Sequence, residues 1–87
     1  MSPALSALVA RNIRAERSRA GLTQDELAET LGLTRSAVSL WERGQREPGL
    51  DYLVPLCRTL EIDLADLFRG ASADDLGTLG LRDVRGR

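Results

Sequence analysis

Leu5, Leu8, Val9 and Ile13 recur at intervals of one to four residues, the spacing that places apolar side chains along one stripe of a helix. Ser2 can cap such a helix and Pro3 suits its first turn, where a missing N–H costs nothing. Gly21 suits a left-handed ending, so helix one is predicted over residues 3 to 20. Thr23-Gln24-Asp25-Glu26 is a capping box and opens a second, short helix whose apolar side is Leu27, Ala28 and Leu31. Gly32 breaks it and Leu33 turns inward. Thr34 then caps a third helix that runs to Arg43.

Gly44 to Gly49 reads as a polar turn, and Leu50, Leu53, Leu56, Cys57 and Leu60 mark a fourth helix. Pro55 falls inside it and removes one backbone bond, which predicts either a kink or a start later than Leu50. Asp63-Leu64-Ala65-Asp66 repeats the capping logic for a last short helix ending at Phe68 or Arg69. The fold class expected is all-α, five helices in one domain over residues 1–69, followed by a tail over residues 70–87. That tail is rich in Gly, Ala, Asp and Arg, with Leu76, Leu79, Leu81 and Val84 thinly spread. It is expected to be flexible or to bind a second copy or another protein.

Composition narrows the chemistry. An 87-residue chain with no histidine and a single cysteine, Cys57, has no Cys/His catalytic pair, histidine metal site or intrachain disulfide. No cofactor and no metal are expected, an enzyme is disfavoured, and a reducing, cytoplasmic setting is implied. No apolar run approaches the ~20 residues that span a bilayer, and the start of the chain lacks the basic lead of a signal peptide. The net charge of −1 is not the usual footprint of a nucleic-acid binder, but its distribution is uneven. Residues 1–46 carry seven Arg against five acids, or +2, whereas residues 47–87 carry five Arg against eight acids, or −3.

The stretch from Gln24 to Arg43 has what two short helices crossing steeply require. Ala28 is small enough for the point of closest approach, and Gly32 accepts a positive φ in the turn. On the third helix Thr34, Ala37, Val38 and Trp41 fall on one arc, read as the core side. Ser36, Ser39 and Arg43 point away, with Arg35 and Leu40 flanking them. Trp41 belongs to the core rather than to a stacking surface. Cys57 is a small buried hydrophobe.

From Ile13 to Phe68 the chain resembles the Cro-like, XRE-type family of phage and bacterial repressors. The resemblance is carried by Gly21-Leu22-Thr23-Gln24-Asp25-Glu26-Leu27-Ala28, by Leu31-Gly32-Leu33-Thr34-Arg35-Ser36-Ala37-Val38-Ser39, by Trp41-Glu42-Arg43-Gly44 and by Ile62-Asp63-Leu64-Ala65-Asp66-Leu67-Phe68. It implies a lambda-repressor-like domain in which the third helix enters the major groove. Arg35, Ser36, Ser39 and Leu40 would then face bases: Arg35 suits guanine O6 and N7, the serines donate or accept, and Leu40 packs on a thymine methyl. The resemblance gives Gln24 the role of a phosphate clamp and makes Arg14, Thr34, Arg43, Gln45 and Arg46 further backbone contacts. For each of those five taken singly, a solvated polar residue near a turn is the competing reading. Arg17 and Glu42 match a pair that ties helix one to the end of the recognition helix.

Two functional readings remain. One is a sequence-specific regulator, a repressor that binds a palindromic operator in double-stranded DNA as a homodimer through Leu67, Phe68 and the tail. The other is an antitoxin-like module that binds its own promoter while its tail takes a partner protein.

Overall fold

The computed structural model describes residues 3–71. The Ser2 cap and the tail from Ser72 onward, with Leu76, Leu79, Leu81 and Val84, lie outside the described residues. Four α-helices form: α1 (Pro3–Arg19), α2 (Gln24–Leu31), α3 (Arg35–Glu42) and α4 (Leu50–Leu60). The fifth expected helix is not α. Leu64–Phe68 is a 3-10 segment, with the N–H of Asp66 donating to the carbonyl of Asp63 at 2.9 Å. Five residues are too few for more than a bond or two of the i→i−4 kind, whereas tighter i→i−3 bonding closes sooner. The end of the segment is held from outside, because Asn12 Nδ2 donates to the carbonyls of Leu67 (2.9 Å) and Arg69 (3.0 Å).

The core is one cluster built from Val9, Ile13, Leu27, Ala28, Val38, Trp41, Leu56, Cys57, Leu60 and Leu67. It lies where α1 packs on α3 and on the 3-10 segment while α2 packs on α3 and α4. Each fully buried Leu, Ile or Val contributes about 1.5–3 kcal/mol relative to exposure, so this cluster supplies most of the drive to fold. Trp41 meets Tyr52 of α4 with ring centroids 5.8 Å apart and tilted by 55°, an offset that aromatic quadrupoles favour. A buried carboxylate, Glu16, sits beside this core. It accepts from Arg19 Nε at 2.7 Å and from Arg69 Nη1 at 3.3 Å, which satisfies the charge.

Two expectations need correction, and one of two open alternatives closes. Thr34 is not on the inward arc of α3: it is an exposed N-cap in extended conformation, and a side chain that caps its own helix points along the axis rather than into the core. Leu67 is fully buried and Phe68 packs against the core cluster, so Leu67 is not available to a second chain. The helix containing Pro55 does not start late, because α4 begins at Leu50 and runs through the proline. Pro55 and Asp51 both lie on the exposed side, so the carbonyl left without an N–H partner faces water, which limits the cost.

Replacing Pro55 by alanine restores that backbone bond, and the urea midpoint should rise by the equivalent of roughly 1–3 kcal/mol. The greater freedom of the unfolded chain trims the gain; a lower midpoint would mean that the proline fits α4 without penalty. Acid should have the opposite effect. The Glu26 carboxyl is held below its ordinary value by the backbone N–H and then the hydroxyl of Thr23, and Asp66 by the N–H of Asp63 and then by Arg69. Both stabilise fully above the ordinary carboxylate range near ~4 and lose that contribution as pH falls through their lower folded values. Unfolding monitored against pH should show stability dropping there, with a shallower drop in Glu26→Gln.

Candidate nucleic-acid interface

The approach of α2 to α3 is set at a few positions. Thr23 Oγ1 accepts from the N–H of Glu26 (3.0 Å) and Glu26 Oε1 accepts from the N–H of Thr23 (2.8 Å), which fixes the first residue of α2. Gly32 ends α2 at φ +70°, and Leu33 N–H returns to the carbonyl of Ala28 at 2.8 Å. Ala28 is 2% exposed, as the small residue at a close crossing must be. Thr34 Oγ1 accepts from Ala37 N–H at 3.3 Å and starts α3. The first helical residue of α3 is therefore Arg35, with its side chain exposed.

Six side chains surround one shallow concavity of about 320 Å³: Gln24, Arg35, Ser36, Ser39, Leu40 and Arg43. The sequence argument places the same residues in two different roles, and the fold brings them to one surface. Arg14, Thr34 and Gln45 are exposed but do not line it. Arg46 lines a different concavity with Tyr52 and Leu50, on the α4 side of α3.

Behind this surface runs a chain of polar contacts that the sequence did not reveal in full. Arg17 forms a two-pronged pair with Glu42, Nε to Oε2 at 2.6 Å and Nη2 to Oε1 at 3.0 Å, and its Nη1 donates to the carbonyl of Leu22 at 2.7 Å. The Glu42 side chain is 3% exposed and that of Arg17 16%. The hydrogen bonds to Glu42 raise the Arg17 guanidinium above its already high value, against a smaller opposing effect of burial. Gln24 Nε2 donates to Glu42 Oε1 at 3.1 Å while Gln24 Oε1 accepts from Arg35 Nε at 3.4 Å. The two contacts fix the amide's orientation, since a flipped amide would set oxygen against carboxylate and nitrogen against guanidinium. Arg17 and Glu42 are both named above. What linear reading lacks is that Gln24, 18 residues from Glu42 and 11 from Arg35, stands between the pair and the first residue of α3.

The site is cationic in spite of the chain's net charge. Arg35 and Arg43 are exposed around it, and the one carboxylate at its back, Glu42, is paired with Arg17. Ser36 and Ser39 supply hydroxyl groups that donate or accept. Two guanidinium groups beside two hydroxyls favour an anionic partner.

The helix-turn-helix family model matches residues 13–67, which span the end of α1, α2, its turn, α3, α4 and all but the last residue of the 3-10 segment. The chain belongs to the XRE-type helix-turn-helix family of transcriptional regulators. Among relatives, it is 34% identical over 65 residues to the uncharacterized HTH-type transcriptional regulator YqaE of Bacillus subtilis, covering 75% of this chain but 56% of YqaE. Among solved structures, the restriction-modification controller protein C.AhdI from Aeromonas hydrophila superposes with a TM-score of 0.68 at 36% identity, over 72% of this chain and 96% of that one. The P22 c2 repressor, solved in complex with a synthetic operator, gives a TM-score of 0.66 at 31% identity, over 71% and 94% of the two chains. These relatives are transcription regulators, not enzymes.

No helix among the described residues is long and apolar enough to cross a membrane. In this regulator the polar chain behind α3 can be tested by deletion. Arg17→Met leaves Glu42 buried without its cation and should cost about 3–5 kcal/mol, whereas Arg17→Met with Glu42→Leu should cost distinctly less. Chemical denaturation of both variants checks this; equal losses would mean that removing the stranded carboxylate recovers nothing.

Proposed function

We propose that this chain represses transcription by binding, as a homodimer, a two-fold related site in double-stranded DNA, in the cytoplasm, with α3 in the major groove. The observation that carries the reading is the single exposed surface shared by Gln24, Arg35, Ser36, Ser39, Leu40 and Arg43. Arg35 is the main reader. Its Nε is turned toward Gln24, which leaves the two terminal nitrogens for O6 and N7 of one guanine. Ser36 and Ser39 bond to base edges or bridging water, and Leu40 packs against a thymine methyl.

Gln24 keeps one amide hydrogen free after donating to Glu42 and holds a phosphate at the start of α2, where backbone N–H groups and the helix dipole add to it. Arg43 takes a second phosphate, and Arg14, Thr34, Gln45 and Arg46 extend the backbone contacts on either side. A cation at the first turn of a helix is disfavoured by the dipole, so Arg35 costs some stability where it stands, and that cost is consistent with a demand from the ligand. Repression needs no further equipment, because a bound dimer occludes polymerase. It also agrees with the repressor P22 c2 among the structural neighbours.

The test is selection from random double-stranded DNA at several salt concentrations, followed by sequencing. A palindrome should emerge, and Arg35→Ala should relax one guanine position per half-site at a cost of about 1–3 kcal/mol. Arg43→Ala should weaken all sequences alike and lower the salt slope by about 1. No enrichment, with weak and wholly salt-dependent binding in both proteins, would sink the proposal.

A further inference from the structure

The first part of α1, from Pro3 to Asn12, precedes the residues that the helix-turn-helix family model matches, yet it holds the turn between α3 and α4. Ser6 Oγ donates to Glu47 Oε1 at 2.8 Å, although the two are 41 residues apart in sequence. Gly44 turns at φ +71°, and a Cβ placed on it would lie 3.7 Å from Ala10 Cβ, Ala7 Cα and the Ser6 carbonyl oxygen. The backbone of the turn therefore lies against α1 over those residues. On the α3 side, Gly44 N–H donates to the carbonyl of Trp41 (3.1 Å) and Gln45 N–H to that of Leu40 (3.0 Å). Between the attachments at Gly44 and Glu47 stand Gln45 and Arg46, both exposed.

We propose that Ser6 and Glu47 are positioning residues for DNA binding: their contact fastens the α3–α4 turn to α1, so that Gln45 and Arg46 meet phosphates from a turn already in place. The inference rests on the DNA reading given above. Charge supplies the reason to assign Glu47 such a role. It is an acid directly after Arg46, in a turn which that reading sets against a polyanion, and a loose carboxylate there lowers affinity by repulsion. Ser6 turns the carboxylate toward α1. The Ser6 hydroxyl, and after it the backbone N–H of Glu47 itself, hold the Glu47 carboxyl below its ordinary value, so the acceptor is ionised at neutral pH and the bond is charge-assisted. A turn ordered in the free protein loses less freedom when DNA arrives. Ser6 and Glu47 do not line the α3 concavity, so their effect falls on affinity and not on the choice of base.

The experiment measures binding of the full chain to the DNA site that selection returns, over a series of salt concentrations, with Trp41 fluorescence during urea unfolding as the check on folding. Glu47→Gln and Glu47→Ala both remove the negative charge, but only glutamine keeps an oxygen that accepts from Ser6. Glu47→Gln should bind at least as tightly as the wild type, and Glu47→Ala about three- to tenfold more weakly than Glu47→Gln. Ser6→Ala frees the carboxylate and should bind about three- to tenfold more weakly than the wild type, with a salt slope smaller by up to about 1. In the Glu47→Ala background, Ser6→Ala should change nothing further. Equal affinities for Glu47→Gln and Glu47→Ala, or losses that add in the double variant, would overturn the assignment.

The DNA reading is separable. If Arg35→Ala loses its guanine preference while Ser6→Ala binds like the wild type, that reading stands and the tether falls. If the wild type selects no site, both fall.

Discussion

The Glu42 carboxylate lies at the end of α3 almost wholly out of water, and a buried charge is tolerated only if its partners are held in place. Those partners come from the two helices that precede α3. Arg17 brings α1 and, through the Leu22 carbonyl, the turn into α2; Gln24 brings the first residue of α2. The demand to satisfy one carboxylate therefore fixes the relative placement of three helices. Apolar packing of Leu27, Val38 and Trp41 supplies more of the stability, but packing tolerates small slides that a two-pronged guanidinium pair does not. The orientation of α3 depends on the polar contact, and its existence depends on the core.

The same contact reaches the outer surface. Gln24 has its amide nitrogen toward Glu42 and its oxygen toward Arg35, so a side chain at the back of the site restrains the one at the front. An arginine has several rotatable bonds, and ordering each such side chain on binding costs about 0.5–1.5 kcal/mol. Restraint in the free protein reduces that cost. At 3.4 Å the contact to Arg35 is the longest of those linking Arg17, Glu42, Gln24 and Arg35, which leaves the guanidinium room to adjust.

Much of the architecture was legible because caps and breakers are local. Thr23 with Glu26, Gly32 and Thr34 bracket α2 and α3 within a residue or two of where periodicity places them. The failures have physical causes. Capping chemistry at Asp63 marks a helix start but does not distinguish α from 3-10 bonding over five residues. A wheel drawn at constant pitch extends α3 back through Thr34, although an N-cap is not helical and its side chain follows no wheel. Leu67 is assigned to an interface by the linear reading, yet the core buries it and Asn12 fastens that stretch to α1 through main-chain carbonyls, which have no signature in a sequence. Glu16 is hidden for a different reason, the distance along the sequence to one of its partners. Arg19 is three residues away, but its other partner, Arg69, is 53 residues distant. In the candidate site, residue types were readable from the motif, whereas the relay through Gln24 needs three dimensions.

Charge shows why a sum over the chain misleads. At −1 overall, a binder of polyanions looks unfavoured, and long-range attraction would be slight. The potential at a surface within a Debye length, about 8 Å at physiological salt, depends instead on nearby groups. Near the α3 concavity those are Arg35 and Arg43, with Glu42 neutralised by Arg17. Glu61, Asp63 and Asp66 gather at the end of α4 and on the 3-10 segment, around a separate concavity. The fold converts a sign change along the sequence into two surfaces, one basic and one predominantly acidic with a lone arginine. Their separation keeps the acidic end of α4 away from the surface that carries Arg35 and Arg43.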